Sequence, residues 1–198
     1  MPSEIEAKFL KVNFKELRKK LSDLGATCDH PMRLMRRLLF DYPDRRFQKS
    51  NQSRWLRIRD EGNKVAVNYK AKNNSKYAYE LEAIVESFDD MSNLFKAMGL
   101  VPYSFQESKR ETWKYKNVEI VLDEWPWLEP YIEIEGPSEQ AIQMAAKDLG
   151  FDWRDACFGS VDTAYKHQYP GMKDFESISN VGDVHFGNPL PIFLKERQ

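Results

Sequence analysis

Glutamates two residues apart recur three times in this chain: Glu4 with Glu6, Glu80 with Glu82, and Glu133 with Glu135. On a β-strand such residues share a face, so each pair aims two carboxylates at one place. Carboxylates held that close repel, and a cation between them relieves the repulsion. Hard oxygen donors of this kind suit Mg²⁺ or Mn²⁺ rather than zinc. Neither the three histidines (His30, His167, His185) nor the two cysteines (Cys28, Cys157) show metal-ligand spacing. Eight arginines crowd the stretch from Arg33 to Arg59. Their planar forks match phosphate oxygens. A metal on one wall and basic groups on another is the arrangement that phosphoryl transfer needs. A Gly-rich phosphate loop and a Gly-x-Ser-x-Gly nucleophile motif are both missing from the sequence.

The elements that must position these residues follow from periodicity. Strands are predicted at 3–11, 32–42, 55–59, 64–71, 76–86, 103–116, 118–125 and 129–136. Helices are predicted after Asn13 (with Glu16 completing a capping box), from Phe88 to Met98, and from Ser138, with stops at Gly25, Gly99 and Gly150. Each strand divides by parity into an apolar and a charged face. Leu56 and Ile58 oppose Arg57 and Arg59; Val65, Val67 and Tyr69 oppose Lys64, Ala66, Asn68 and Lys70. Val118, Ile120 and Leu122 oppose Glu119, Val121 and Asp123; Ile132 and Ile134 oppose Glu133 and Glu135. An ordinary half-exposed sheet would show the same alternation. The same-sign pairs on successive strands instead favour a closed barrel with charged faces inward and three amphipathic helices packed outside. The fold class expected is therefore α+β and antiparallel-rich. From Tyr169 onward no periodicity is legible.

Composition narrows the partners. At 198 residues and 41% hydrophobic, the chain can bury a core as one domain with a tail, placed here at 1–170 and 171–198. Thirty basic against 31 acidic side chains leave a net charge of −1, without the basic excess of a nucleic-acid binder. No apolar run approaches the roughly 18 residues of a membrane span, and the first residues lack the pattern of a signal peptide. Two cysteines make no disulfide framework, so a cytoplasmic location is expected.

An ordered set of motifs now gains meaning. Glu4-x-Glu6-x-Lys8 comes first, followed by Leu39-Phe40-Asp41-Tyr42-Pro43-Asp44 and Leu56-Arg57-Ile58-Arg59-Asp60. Tyr69-Lys70, Glu80-Leu81-Glu82, Arg110, Leu122-Asp123-Glu124 and Tyr131-Ile132-Glu133-Ile134-Glu135 complete it. Over roughly 3–170 this resembles the CYTH superfamily, the triphosphate tunnel metalloenzymes, which include class IV adenylate cyclases and thiamine and inorganic triphosphatases. The resemblance implies an eight-stranded antiparallel tunnel. It implies that Glu4, Glu6, Asp123, Glu133 and Glu135 hold the metal, and that Lys8, Arg57, Arg59, Lys70 and Arg110 bind phosphate. Glu80 and Glu82 would line the tunnel, and Glu6, Lys8 and Glu135 would carry catalysis. Two positions depart from the family pattern. Ser108 stands where a lysine is common, with Lys109 facing outward unless a bulge turns it, and Ala78 stands where an arginine is common, with Lys76 nearby. The implied activity is metal-dependent hydrolysis of a triphosphate-containing small molecule. Cyclisation of ATP and triphosphate binding without turnover are the alternatives. A homodimer through Trp125, Trp127 or the tail is one arrangement open to it.

Overall fold

The computed structural model describes residues 5–49, 54–71 and 79–198. Glu4, Lys76 and Ala78 lie outside them. The described chain divides into two units: one takes Leu34–Glu107 with Ser179–His185, the other Arg33 and the residues before it, Ser108–Ile178 and Phe186–Gln198.

The second unit is built on β1 (Ile5–Leu10), β7 (Val118–Glu124), β8 (Tyr131–Gly136) and the ends of two long strands, β2 (Thr27–Asp41) and β6 (Val101–Tyr115). Helix α1 (Phe14–Asp23) opens at Asn13, whose side chain accepts from the amides of Lys15 and Glu16 at 3.0 and 3.3 Å. It closes at Gly25, whose φ of 75° lets the Ala26 amide reach back to the Leu21 carbonyl at 2.9 Å. Helix α3 (Glu139–Asp148) repeats this plan from Ser138 to Gly150. Ala7, Phe9, Ile120, Leu122, Ile132 and Ile134 bury the apolar sheet face against Leu17 and Leu21 of α1 and against Ile142, Ala145 and Ala146 of α3. Phe9 stacks on Phe151 at 4.7 Å.

The first unit carries the remainder of β2 and β6 with β3 (Arg54–Asp60), β4 (Val65–Ala71) and β5 (Tyr79–Val85). Helix α2 (Phe88–Ala97) is capped by Ser87 and covers their apolar side, with Phe40, Ile58, Phe95 and Leu100 at the centre. The parity assignment therefore holds in both units. It holds because one-residue alternation leaves a strand with a single apolar face to bury.

Strands follow the hydrogen-bonded order β1-β8-β7-β6-β2-β3-β4-β5. Here the expected closed barrel fails: among the described residues β1 and β5 end the path, and backbone hydrogen bonds do not close the sheet. Side-chain alternation specifies which face is buried but carries no information about which edges pair. Two further differences concern the C-terminal stretch. Helices α4 (Val161–Gln168) and α5 (Ile192–Lys195) form where no helix was expected. A two-residue strand, β9 (Asp183–Val184), adds in parallel to β6 beside Phe105 and Gln106. Among the described residues, no helix is long and apolar enough to cross a membrane.

Candidate active site

Each unit presents a charged sheet face, and both signs of charge are interleaved within each. In the second unit the register pairs Lys8 with Glu133 and Glu6 with Glu135 across β1–β8. Arg110 pairs with Asp123 across β6–β7. In the Lys8–Glu133 and Arg110–Asp123 pairs opposite charges stand directly across from one another, where cross-strand attraction is largest, whereas Glu6 and Glu135 are a like-charge pair. Lys8 Nζ lies 2.6 Å from Glu6 Oε1 and 3.2 Å from Glu133 Oε1. Arg110 grips Asp123 with two bonds of 2.7 and 2.5 Å and donates to Glu133 Oε2 at 2.9 Å. The result is one chain of contacts, Glu6–Lys8–Glu133–Arg110–Asp123.

Lys8 is 1% exposed and Asp123 fully buried. Burial alone would push the Lys8 ammonium toward neutrality, but the Glu133 and Glu6 carboxylates outweigh it and raise its pKa. Arg110 is raised likewise: burial opposes its charge, while Asp123 and Glu133 prevail. Backbone bonds between Lys8 and Cys157, 2.8 and 2.9 Å, pin the strand at that residue.

In the first unit β3, β4 and β5 supply the charged face. Trp55 and Glu80 flank Lys70 in register, and Arg57 and Glu82 flank Asn68. Lys70 Nζ binds Glu80 at 2.7 Å. Arg59 binds Glu61 through Nε at 2.8 Å and Nη2 at 2.5 Å, and Lys64 reaches Glu82 at 3.3 Å. The Asn68 amide group donates to Glu80 at 3.0 Å and to Glu82 at 2.7 Å. Burial favours the neutral form of Glu82, yet the Asn68 bond and Lys64 hold its carboxyl below the usual range.

Residues matched to a CYTH domain run from 2 to 154, more than three quarters of the chain. The chain belongs to the CYTH family. Solved structures agree. It is similar to the PH1012 protein of Pyrococcus horikoshii, at 25% identity and a TM-score of 0.64, covering 81% of this chain and 98% of that one. It also resembles a candidate adenylate cyclase of Vibrio parahaemolyticus (13% identity, TM-score 0.70, covering 81% and 96%). A third likeness is to HpAC1 of Hippeastrum, a candidate adenylyl cyclase described as having a dominant triphosphatase activity (14% identity, TM-score 0.56, covering 87% and 99%). At such identities the last two speak to the fold. No curated protein matches the chain.

For a CYTH protein the expected cation needs hard oxygen donors. Among the described residues, no three His, Cys, Asp or Glu side chains converge into a ready cage. The donor chemistry nevertheless fits in one row, where Glu135 lies between Glu6 on β1 and Glu119 on β7. Three neighbouring carboxylates there call for added positive charge. Lys114 answers Glu119, and Lys8 answers Glu6. Of the expected ligands, Glu6 and Glu135, side by side across β1–β8, are the pair in this row that would hold a divalent ion, Glu6 while also paired with Lys8. Asp123 and Glu133, also expected as ligands, are engaged by Arg110 and Lys8 in this structure.

Sequence reasoning missed two participants. Glu119 sits on the predicted charged face, and its place beside Glu135 needs the β7–β8 register. Asn68 is neutral, so a search for charged pairs passes over it. The bulge suggested for Lys109 does not occur: pairing runs unbroken from Lys109–Glu124 to Tyr115–Val118. Lys109 therefore sits on the opposite face from Arg110, 3.6 Å from Glu124 and over the Phe186 ring, while Ser108 is buried.

Proposed function

We propose that the protein is a divalent-cation-dependent phosphohydrolase acting on a triphosphate. The observation that carries this reading is the Glu6–Lys8–Glu133–Arg110–Asp123 network, two fixed cations among three carboxylates on adjacent strands of a CYTH domain. A bound Mg²⁺ or Mn²⁺ would neutralise phosphate oxygens and make a water more acidic.

The protein's own groups divide the remaining work. Lys8 stays an ammonium through the physiological range, so it cannot take a proton from water. It donates to a phosphoryl oxygen instead, and Arg110 does the same. Glu6 and Glu135 supply cation ligands and a carboxylate to accept the water proton. Arg57, Arg59 and Lys70 bind phosphate oxygens. Among the described residues, ion pairs around them join these three and Lys64 to Glu61, Glu80 and Glu82.

Incubation with ATP or inorganic triphosphate, with Mg²⁺ or Mn²⁺, tests this directly when products are resolved. Phosphate and ADP or pyrophosphate are expected. Cyclic AMP as the main product would replace hydrolysis by cyclisation, and tight binding without products would make the protein a binder.

A further inference from the structure

Asn68 is fully buried among charges. Arg57 and Arg59 lie beside it on β3, Lys64 and Lys70 on its own side of the hairpin, Glu80 and Glu82 on β5, and Glu61 in the β3–β4 turn. Arg37 on β2 stands across from Arg59. The chemistry fixes the orientation of the amide. Its NH₂ must face the two carboxylates, at 3.0 and 2.7 Å, and its oxygen accepts from Arg57 Nε at 3.3 Å. One neutral side chain therefore separates two like charges and also contacts a guanidinium. The amide thus joins Lys70, on Glu80, and Lys64, on Glu82, in relieving the repulsion between the two carboxylates.

Neither Arg57 nor Arg59 closes on these glutamates. Arg57 Nη2 is 3.9 Å from Glu80, and Arg59 Nη2 is 4.0 Å from Glu82. Charge-assisted hydrogen bonds close to about 2.7–2.9 Å. Asn68 shares the restraint on these distances with Lys70 on Glu80, Lys64 on Glu82 and Glu61 on Arg59.

We propose that Asn68 is a positioning residue for polyphosphate binding, orienting the Arg57 guanidinium through its oxygen and holding the Glu80 and Glu82 carboxylates through its NH₂. The inference rests on the triphosphate reading above, which supplies the ligand.

The test is calorimetric binding of inorganic triphosphate, with steady-state kinetics, on the full chain. Asn68→Leu keeps the volume and removes every amide bond, while Asn68→Asp puts a third carboxylate in the cluster. Both should raise Kd and KM by about ten- to a hundred-fold, with kcat changed far less because the reacting groups are untouched. The double variant Asn68→Asp/Glu82→Gln exchanges donor and acceptor across the same contact. It should recover most of the affinity lost in Asn68→Asp, a rescue that general damage to the fold would not give. If Asn68→Leu does not fold, the rescue comparison alone decides. Wild-type binding with an unchanged Asn68→Leu, or a double variant no better than Asn68→Asp, overturns this inference and leaves the function standing. Failure of the wild type to bind triphosphate overturns both.

Discussion

Lys8 illustrates how a single residue combines fold and chemistry. Its ammonium is buried, held by two carboxylates, and fixed by backbone bonds to Cys157. Its partner Glu6 is the residue whose charge the proposed reaction needs most. Glu6→Gln keeps the size and a hydrogen-bonding oxygen, so the fold should persist by circular dichroism. Cation-dependent turnover should fall by roughly 10²-fold or more; unaltered turnover would remove Glu6 from the site. Arg110 presents the opposite balance. Arg110→Met leaves the fully buried Asp123 without its bidentate partner, and losing one side of a buried pair costs about 3–5 kcal/mol. The urea midpoint should drop accordingly, and a midpoint equal to wild type would mean that water replaces the guanidinium. At this scale the sequence shows which face each charge takes, because parity decides it. It does not show that Arg110 meets Asp123, since that requires the β6–β7 register.

Elements were legible where periodicity and caps agree. Asn13, Ser87 and Ser138 each begin a helix, and Gly25, Gly99 and Gly150 each end one, within a residue of expectation. The motif residue Asp41 proves to be architectural: its carboxylate accepts from the amides of Tyr42, Phe47 and Gln48, tying down the turn after β2. Helix α4 did carry a signal, with Ser160 as its cap and Val161, Ala164 and Tyr165 at helical spacing. A two-residue strand such as β9 carries none, because its identity lies in what it pairs with. Its anchors are the Phe105 amide on the Gly182 carbonyl at 2.8 Å and the Gln106 side chain on Ser179 at 2.9 Å. Val184 is fully buried there. Val184→Asp should detach β9, and hydrogen exchange should show the Phe105 amide losing protection while the Ile120 amide keeps its own. Equal protection of Phe105 in both proteins would show that β9 holds without Val184.

For the molecule as a whole, the ionised groups set a pH window. The bond from Arg197 and the Lys173 amide lower Glu176 to about 2, and Glu82 is also depressed below its ordinary value of 4.5. A depressed carboxyl contributes stability above its unfolded pKa and loses it as pH falls, so melting temperature should decline from about pH 4.5 toward pH 2. Lys8, raised above 10.5, contributes below that value and fails only in strong alkali. A plateau between these limits is expected in calorimetry. Undiminished stability at pH 3 would mean that these carboxylates gain nothing from their partners. Closure of the sheet was not legible because an alternating strand says nothing about its edges. The position of Trp55 has a practical result. It shares a sheet face with Lys70, directly across β3–β4, whereas Trp113 is packed in the core of the other unit. Native fluorescence should therefore carry its own dosimeter: a polyanion arriving at Lys70 perturbs the emission of Trp55, one of five indoles in the chain, and no label is required.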